Sequence, residues 1–355
     1  MWSSRITPVC YATSGPLAWF PMIERISRDR LEALLNLAQG RRVAVVGDAM
    51  LDVYLRGDVD RISPEAPVPV VRVRERKLAL GGAANVANNI VAIGARCELV
   101  AAVGKDVAGA TLRDMLAGVG TETRALVPVG RPTTTKTRVI ARSQQMVRYD
   151  EEDDSDMDGA DSARLMQALE TAIADADALV FEDYNKGVLV PAVISQAIAW
   201  AKARGVPIIV DPKYRNFFAY RGATIFKPNR RELESALGAA VDLEHPEALP
   251  ATFERLGVEH LLLTLGERGM ALISSDGEIG RIPTTAREVY DVVGAGDTVT
   301  AYLAAILAAG GSPAEAAVVA NFAAGVEVGK LGAATVRADE VLAAYDDFSE
   351  SHAQA

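Results

Sequence analysis

The stretch DVVGAGDTVTAYLAA, residues 291–305, joins a glycine-rich loop to an apolar segment. Apolar residues from Val299 to Leu307 recur at the three- and four-residue spacing of one helix face, so a buried helix is predicted to begin near Asp297. This junction places a carboxylate where the loop becomes the helix. An aspartate at that point can be the helix N-cap, or it can take part in chemistry at the helix N-terminus.

The residues before this aspartate, Gly294, Ala295 and Gly296, leave backbone N–H groups uncovered. A helix N-terminus combines unpaired donors with partial positive charge, so it can bind anions. A phosphoryl group in transfer would be stabilised there. Asp297 would then accept the proton of the attacking hydroxyl, and these four residues are the predicted catalytic group. An N-cap without a catalytic role is the alternative for Asp297.

The composition of the 355-residue chain is that of a globular protein, with 50% hydrophobic and 24% charged residues. A net charge of −10 argues against nucleic acid or an anionic membrane surface as partner. Cys10 and Cys97 have neither metal-site nor disulfide spacing, which fits a cytoplasmic protein. No apolar run reaches the length of a membrane span, and no metal-ligating set of side chains is predicted.

The rest of the chain alternates short apolar runs with helical patterns. The strand-like runs are residues 43–47, 99–104, 178–181, 207–210, 224–226 and 261–265. Helical spacing fills most of the intervals, for example at residues 163–174 and 192–203. The alternation predicts an α/β fold in three layers, with helices on both faces of a mostly parallel central sheet. A ligand is expected in a crevice at the carboxyl ends of the strands.

Two segments interrupt this alternation, and both are too polar for the central sheet. Residues 57–80 contain prolines and alternating valines, and residues 133–150 have the pattern of two strands that turn near Ser143. Together they predict a small β lid over the crevice, followed by a solvated acidic linker at residues 151–158. Because an exposed lid sheet has edges that can pair, a homodimer through the lids is expected.

One domain is predicted over residues 22–345, between an N-terminal extension and a short tail. Residues 1–21 are expected to be disordered, or to reflect an upstream start codon, since the amphipathic pattern begins after Met22. Glycine and proline residues interrupt the apolar part of the extension, which makes it a poor signal peptide. Residues 346–355 are expected to form a flexible tail.

The segment GGAANVANNIVAIGARCELVAAVGKDVAG, residues 81–109, and the stretch at 291–305 resemble the two signatures of the PfkB, or ribokinase-like, carbohydrate kinases. The resemblance spans about residues 42–340 and implies the ribokinase-like α/β/α sandwich. It also implies ATP-dependent phosphorylation of a sugar hydroxyl, with Mg²⁺ held mainly through the triphosphate. A monovalent cation is a further candidate cofactor. No Walker-type loop competes, because GVEVGK at 325–330 is one residue too short.

Five residues are predicted to contact the sugar. Asp48 and Asp52 follow the first strand, and carboxylates in such a crevice can accept hydrogen bonds from vicinal hydroxyls. Gly81, Gly82 and Asn85 offer close backbone approach and an amide. A tight turn at the start of a helix is the alternative for these three, but the resemblance implies contact with the sugar.

By the same resemblance, three segments surround the nucleotide. KPNRRE at 227–232 supplies an N-x-x-E element beside the triphosphate and its magnesium, and a helix capping box is a compatible alternative. TLGERG at 264–269 lines the ATP site, and NFAAGVEVGKLGA at 321–333 offers small residues to the adenine, with close helix packing as the alternative. The predicted nucleotide contacts are Asn229, Arg230, Arg231, Glu232, Thr264, Gly266, Gly269, Asn321 and Gly325.

Cations in and near the predicted lid bear on the substrate. A neutral sugar does not call for many cations, whereas a sugar that already carries a phosphate does, because arginine matches phosphate geometry. Solvated lid charges are the alternative. The lid cations are Lys136, Arg138, Arg142 and Arg148. The predicted substrate contacts among the cations and their neighbours are Arg138, Arg142, Asn185, Lys186 and Lys213.

Relatives that act on such sugar phosphates are often fused to an adenylyltransferase domain marked by H-x-G-H. His245, His260 and His352 cannot form this motif, so a separate adenylyltransferase is expected downstream. Two other functions stay open, a kinase for another substrate such as fructose phosphate or ribose, and a binding protein that has lost catalysis. The intact residues 294–297 argue against the second.

Overall fold

The structure is a computed structural model that describes residues 26–142, 144–243, 249–286 and 289–353. Its strands are β1 (Arg42–Gly47), β2 (Ala49–Ile62), β3 (Pro69–Gly82), β4 (Arg96–Gly104), β5 (Leu126–Val129), β6 (Thr135–Ala141), β7 (Gln144–Glu151), β8 (Ala178–Glu182), β9 (Ile208–Asp211), β10 (Ile225–Phe226), β11 (His260–Thr264), β12 (Met270–Ser274) and β13 (Ile279–Ile282). Its α-helices are α1 (Arg28–Ala38), α2 (Ala83–Ile93), α3 (Val107–Gly118), α4 (Gly159–Ala174), α5 (Pro191–Ala203), α6 (Arg230–Leu237), α7 (Leu249–Leu256), α8 (Ala295–Ala308), α9 (Pro313–Glu327) and α10 (Ala338–Ala353).

The central sheet has nine strands in the order β13-β12-β11-β10-β9-β8-β1-β4-β5. The strands from β11 to β5 are parallel, and β12 and β13 add an antiparallel edge. Each of the six strand-like runs found in the sequence lies in one of these strands or overlaps it. The predicted α/β fold with a mostly parallel sheet is therefore confirmed.

Two hydrophobic cores cover the two faces of this sheet. Successive side chains of a strand point to opposite faces, so Val43 and Val45 of β1 pack into one core and Ala44 and Val46 into the other. The first core includes apolar residues of α1, α2, α3, α8, α9 and α10, and the second includes those of α4 to α7. Parallel strands that are buried on both faces explain the nearly continuous apolar runs in the sequence.

The lid is a separate four-stranded sheet in the order β3-β2-β6-β7. It begins earlier than predicted, since β2 starts at Ala49 and β3 runs to Gly82. Residues 49–53 are buried while the far end of β2 is exposed, which is why the sequence pattern becomes recognisable as a lid only from Gly57. The predicted turn residue Ser143 lies outside the described residues, as does the N-terminal extension 1–21.

The C-terminal segment differs from the prediction, whereas the acidic linker is mostly exposed as predicted and makes ion pairs that were not predicted. Residues 346–353 continue α10 as a helix, since Phe348 packs on Phe322 and Arg28 pairs with Asp346. The acidic linker is held by basic residues, through an ion pair between Arg215 and Asp154 and through a second one between Lys186 and Glu152. Among the described residues, no helix combines the length and the hydrophobicity that a membrane crossing needs.

Candidate active site

A cleft of about 330 Å³ opens between the lid and the carboxyl ends of the central strands. Only Asp48 separates β1 from β2, and β3 leads directly into α2. The first residues of β2 and the last residues of β3 therefore lie at this edge of the central sheet. The cleft is lined by Met50, Asp52, Gly81, Gly82, Asn85, Lys136, Arg138, Tyr184, Asp211, Lys213, Lys227, Asn229, Glu232, Thr264, Val293, Gly294, Gly296, Asp297 and Ala333.

Asp297 lies in the first turn of α8 and is not its N-cap. The N-cap is Gly294, whose φ of 98° is in the left-handed region that favours glycine. The Asp297 carboxylate instead faces the cleft wall, where it accepts hydrogen bonds from Nδ2 of Asn85 at 2.7 Å and from the hydroxyl of Tyr184 at 3.1 Å. The N-cap alternative for Asp297 is therefore wrong.

The surroundings of Asp297 favour a carboxyl group that can exchange a proton near neutral pH. Burial raises the pKa of Asp297 to about 6, while the hydrogen bond from Asn85 lowers it and the charge of Asp211 raises it further. A general base works best when its pKa lies close to the working pH. Gly294 and Gly296 line the cleft beside it, so the helix N-terminus and the carboxylate face the same space.

The lid sheet contributes an ion pair between two of its own strands to the cleft lining. Arg138 of β6 donates from Nη1 to Oδ1 of Asp52 in β2 at 2.5 Å, and both side chains are largely buried. A Cβ on Gly81 would lie 2.7 Å from Oδ2 of Asp52, so only glycine allows this carboxylate its position. Asn85 and Gly82 lie on the same wall.

Asp48, Asn185 and Lys186 do not line the cleft. The buried carboxylate of Asp48 accepts N–H groups of Tyr184, Lys186 and Val188 at 2.8, 3.0 and 3.3 Å, and so fixes the loop after β8. Asn185 uses its Oδ1 to accept the Arg215 N–H, while the Lys186 ammonium pairs with Glu152 at 2.6 Å. These residues therefore shape the loop that carries Tyr184.

The cations of the predicted substrate site fall into two groups. Arg142 is exposed at the end of β6, where its N–H donates to the carbonyl of Gly57, so it lies outside the cleft lining. Lys136, Arg138 and Lys213 line the cleft. Lys213 pairs with Glu232 at 2.6 Å.

The predicted nucleotide segments are only partly in the cleft lining. Asn229 and Glu232 form the expected capping box at the start of α6, and both line the cleft together with Thr264. Arg230 pairs with Glu234, outside the lining, and Arg231 is exposed.

The remaining four nucleotide candidates do not line the cleft. The amide of Asn321 donates to the Pro283 carbonyl at 2.8 Å. A Cβ on Gly325 would lie 2.6 Å from the Thr285 hydroxyl, which supports the close-packing alternative. Gly266 and Gly269 have φ values of 63° and 83° and bracket the turn after β11.

Sequence reasoning missed three buried or partly buried polar residues at strand ends, two of which line the cleft. Lys227 follows β10 and pairs with Asp211 at 2.7 Å, Tyr184 follows β8, and Glu182 is the last residue of β8. Burial raises the pKa of Glu182 well above its usual range, and the charges of Asp211 and Asp297 raise it further. All three lie at the carboxyl ends of β8 and β10, parallel strands on either side of β9, and this position was the available signal.

A phosphoryl group arriving beside Gly294 and Gly296 would meet a hydroxyl held against Asp297, which is the arrangement of a small-molecule kinase. The chain matches the sequence model of the pfkB family of carbohydrate kinases over residues 41–339, and it belongs to that family. It is an ATP-dependent carbohydrate kinase, as the sequence resemblance predicted.

Curated relatives share much of the sequence. The chain is 47% identical to "Bifunctional protein HldE" of Rhodospirillum rubrum, with 88% of this chain and 64% of that protein covered. It is 48% identical to the protein of the same name in Caulobacter vibrioides, with 89% and 65% covered. The chain thus spans somewhat less than two thirds of the length of these relatives.

Solved structures share the fold at lower identity. Arabidopsis thaliana ribokinase, complexed with ribose and ATP, has a TM-score of 0.69 and 22% identity, covering 86% of this chain and 99% of that one. The tetrameric inhibited form of Escherichia coli phosphofructokinase-2 has a TM-score of 0.72 and 18% identity, covering 88% and 100%. These similarities establish the ribokinase-like fold.

Proposed function

We propose that this kinase phosphorylates the C1 hydroxyl of D-glycero-β-D-manno-heptose 7-phosphate to the 1,7-bisphosphate, in heptose precursor synthesis for the lipopolysaccharide core. Three segments resemble those of that kinase, SPEAPVPV at 63–70, DYNKGVL at 183–189 and DPK at 211–213. The similarity to proteins named HldE, over 88% of the chain in the first case, supports the same subgroup.

The observation that carries the choice of a phosphorylated sugar is Lys136. This half-buried ammonium lines the cleft, and no carboxylate in the described part of the chain lies within ion-pair distance of it. It lies 5.1 Å from the centre of the Tyr184 ring, a weak cation–π contact. Burial lowers the pKa of Lys136, so its charged form lacks stabilisation that a bound phosphate would supply.

Two further cations support the same position for the phosphate. Lys213 lies 5.3 Å from the centre of the same Tyr184 ring, and Arg138 lines the cleft on the lid side. Both already have carboxylate partners, Glu232 and Asp52. Lys136 is therefore proposed as the main phosphate contact, with Arg138 as its neighbour, in place of Arg142 and Lys186.

The proposal is tested by ADP formation from ATP with a panel of acceptors: heptose 7-phosphate, bare heptose, fructose 6-phosphate and ribose. Heptose 7-phosphate should have the highest kcat/KM, and phosphorus NMR should place the new phosphate on C1. Lys136→Ala should lower kcat/KM for heptose 7-phosphate by roughly tenfold to a hundredfold, as the loss of a charge-assisted hydrogen bond predicts. The KM for ATP should change little.

Arg142→Ala is the matched control, because it removes an exposed lid cation and should leave these constants near the wild-type values. A wild-type enzyme that uses bare heptose as well as its phosphate would contradict the phosphate contact. A higher kcat/KM for fructose 6-phosphate or ribose would favour the alternative of another sugar kinase.

The same proposal includes the oligomeric state of the protein and the metal ion that binds with ATP. We expect the protein to be cytoplasmic. We also expect a homodimer through the lid, because Val73, Val147 and Tyr149 of the lid strands are 45%, 51% and 48% exposed. We also expect Mg²⁺ to be held mainly by the ATP triphosphate, next to Glu232. Light scattering that gives the mass of one chain at assay concentration would exclude the dimer.

A further inference from the structure

Tyr184 contacts both the candidate general base and two cations of the cleft. The hydroxyl of this half-buried tyrosine donates to Oδ1 of Asp297 at 3.1 Å, while the other carboxylate oxygen accepts from Asn85. The centre of its ring lies 5.1 Å from the ammonium of Lys136 and 5.3 Å from that of Lys213. Lys136 belongs to lid strand β6 and Lys213 follows β9, so one side chain contacts three separate parts of the cleft lining.

The loop after β8 fixes the position of Tyr184. The Tyr184 N–H donates to Oδ2 of Asp48 at 2.8 Å, and a Cβ on Gly82 would lie 3.4 Å from Cδ2 of the ring. The next residue, Asn185, has a φ of 55°, in the left-handed region that residues other than glycine rarely adopt. Such a conformation persists where the surrounding contacts enforce it, and here the Asn185 N–H donates to Oδ1 of Asp183 at 2.8 Å. The loop thus holds the ring against the junction of β3 and α2.

The hydroxyl of Tyr184 stabilises the ionised form of Asp297. Burial raises the pKa of Asp297 to about 6, and the hydrogen bonds from Asn85 and Tyr184 oppose this effect. Burial also raises the pKa of Tyr184 well above its usual range, and the charge of Asp297 raises it further, so the phenol keeps its proton and remains a donor. A general base must be ionised to accept a proton, and this hydrogen bond favours that form.

Other charged groups surround the Tyr184–Asp297 pair. They are the carboxylates of Asp48, Glu182, Asp211 and Glu327 and the ammonium groups of Lys136, Lys213 and Lys227. Within the described ranges, Asn85 and Tyr184 are the two side chains that donate to the Asp297 carboxylate. Replacing the tyrosine by phenylalanine leaves every charged group in place, so a change in the titration of Asp297 would report the lost hydroxyl.

We propose that Tyr184 is a positioning residue for phosphoryl transfer: its hydroxyl holds Asp297 as an ionised base, and its ring holds the ammonium of Lys136 at the cleft. The two roles use different atoms of one side chain, so they can be separated. Phenylalanine keeps the ring and loses the hydroxyl, whereas leucine loses both. The inference rests on the proposed function for two points, the role of Asp297 as base and the contact of Lys136 with the phosphate of the sugar.

The test is the pH dependence of kcat/KM for ADP formation, with the acceptor of the panel above that the wild type uses best. In Tyr184→Phe the acid limb of the profile should move up by about one pH unit, the size expected for a hydrogen bond to a charged group. Activity should therefore fall about tenfold at pH 5 but less than about twofold at pH 8, with little change in KM for the acceptor. Tyr345→Phe is the matched control, because the Tyr345 hydroxyl donates to the Ile26 carbonyl at 2.7 Å outside the cleft lining, and its profile should match that of the wild type.

Tyr184→Leu tests the ring, and it repeats the pH test should Tyr184→Phe fail to fold. It should have the same shift of the acid limb and should also raise KM for a phosphorylated acceptor by about threefold or more, because Lys136 loses its cation–π contact. An unchanged profile in Tyr184→Phe, or an equal loss of activity at every pH, would overturn the role of the hydroxyl. An unchanged KM in Tyr184→Leu would overturn the role of the ring. The heptose assignment is tested separately, by the acceptor preference of the wild type.

Discussion

The Nδ2 group of Asn85 donates to Oδ2 of Asp297 at 2.7 Å across 212 residues of sequence. Asn85 lies in the first turn of α2 and Asp297 in the first turn of α8, and these two helices pack against each other. Each of the two sequence signatures therefore contributes one residue to this hydrogen bond. It orients the carboxylate toward the cleft and leaves its remaining lone pairs for the substrate hydroxyl.

The first prediction follows from this geometry. Asp297→Asn keeps the shape of the side chain and removes its basicity, so turnover should fall by roughly 10²–10⁴-fold, the range of acid–base catalysis. The melting temperature should change little, because a neutral group suits this buried position. Steady-state ADP formation and thermal unfolding measure the two quantities.

Asp158→Asn is a suitable control for that substitution. Asp158 is the N-cap of α4 and does not line the cleft, and asparagine caps a helix as well as aspartate does. Its activity should match that of the wild type. Nearly normal turnover in a folded Asp297→Asn enzyme would remove Asp297 from the role of general base.

Strand positions could be predicted from the sequence because burial on both faces leaves a direct signature. The central strands β1 and β8 are almost uninterrupted apolar runs, and this pattern arises when helices cover both faces of a sheet. The start of the lid was placed too late for the same reason. The first five residues of β2 are as buried as those of a core strand, although they already belong to the lid sheet.

The charged cluster of the site was harder to predict because it depends on strand order. Glu182, Asp211 and Lys227 each stand at or just after the end of a strand, and that much is visible in the sequence. Their contact requires β8, β9 and β10 to be neighbours, which only the folded sheet establishes. Lys186 was misplaced for the converse reason, since its partner Glu152 lies in the acidic segment that the sequence presents as solvated.

A second prediction concerns Asp48, which the sequence offered as a sugar contact. Its two oxygens accept three backbone N–H groups of the loop after β8, and an asparagine would turn an NH₂ group toward at least one of them. Asp48→Asn should therefore lower the free energy of unfolding by about 1–3 kcal/mol, the cost of a buried donor without an acceptor. Urea unfolding measures this quantity. An unchanged stability with a raised KM for the sugar would restore Asp48 as a substrate contact.

The last prediction concerns Glu327, a fully buried residue at the end of α9. Burial raises the pKa of Glu327 to about 8, with the charge of Asp291 as the next cause, against 4.5 for an unperturbed glutamate. Between these two pH values the folded protein binds more protons at this site than the unfolded chain does. The contribution of Glu327 to stability is therefore fully present below about pH 4.5 and is lost as the pH rises toward 8.

Glu327→Gln imitates the protonated side chain at every pH, so the wild type and the variant should have similar stability near pH 5. As the pH approaches 8, the variant should become progressively more stable than the wild type, and urea unfolding at several pH values measures the difference. Glu315→Gln is the control, since the hydrogen bond from Arg30 lowers the pKa of Glu315 and keeps it ionised throughout this range. Its difference from the wild type should stay constant. A constant difference for Glu327→Gln as well would mean that Glu327 does not hold a proton in the folded enzyme.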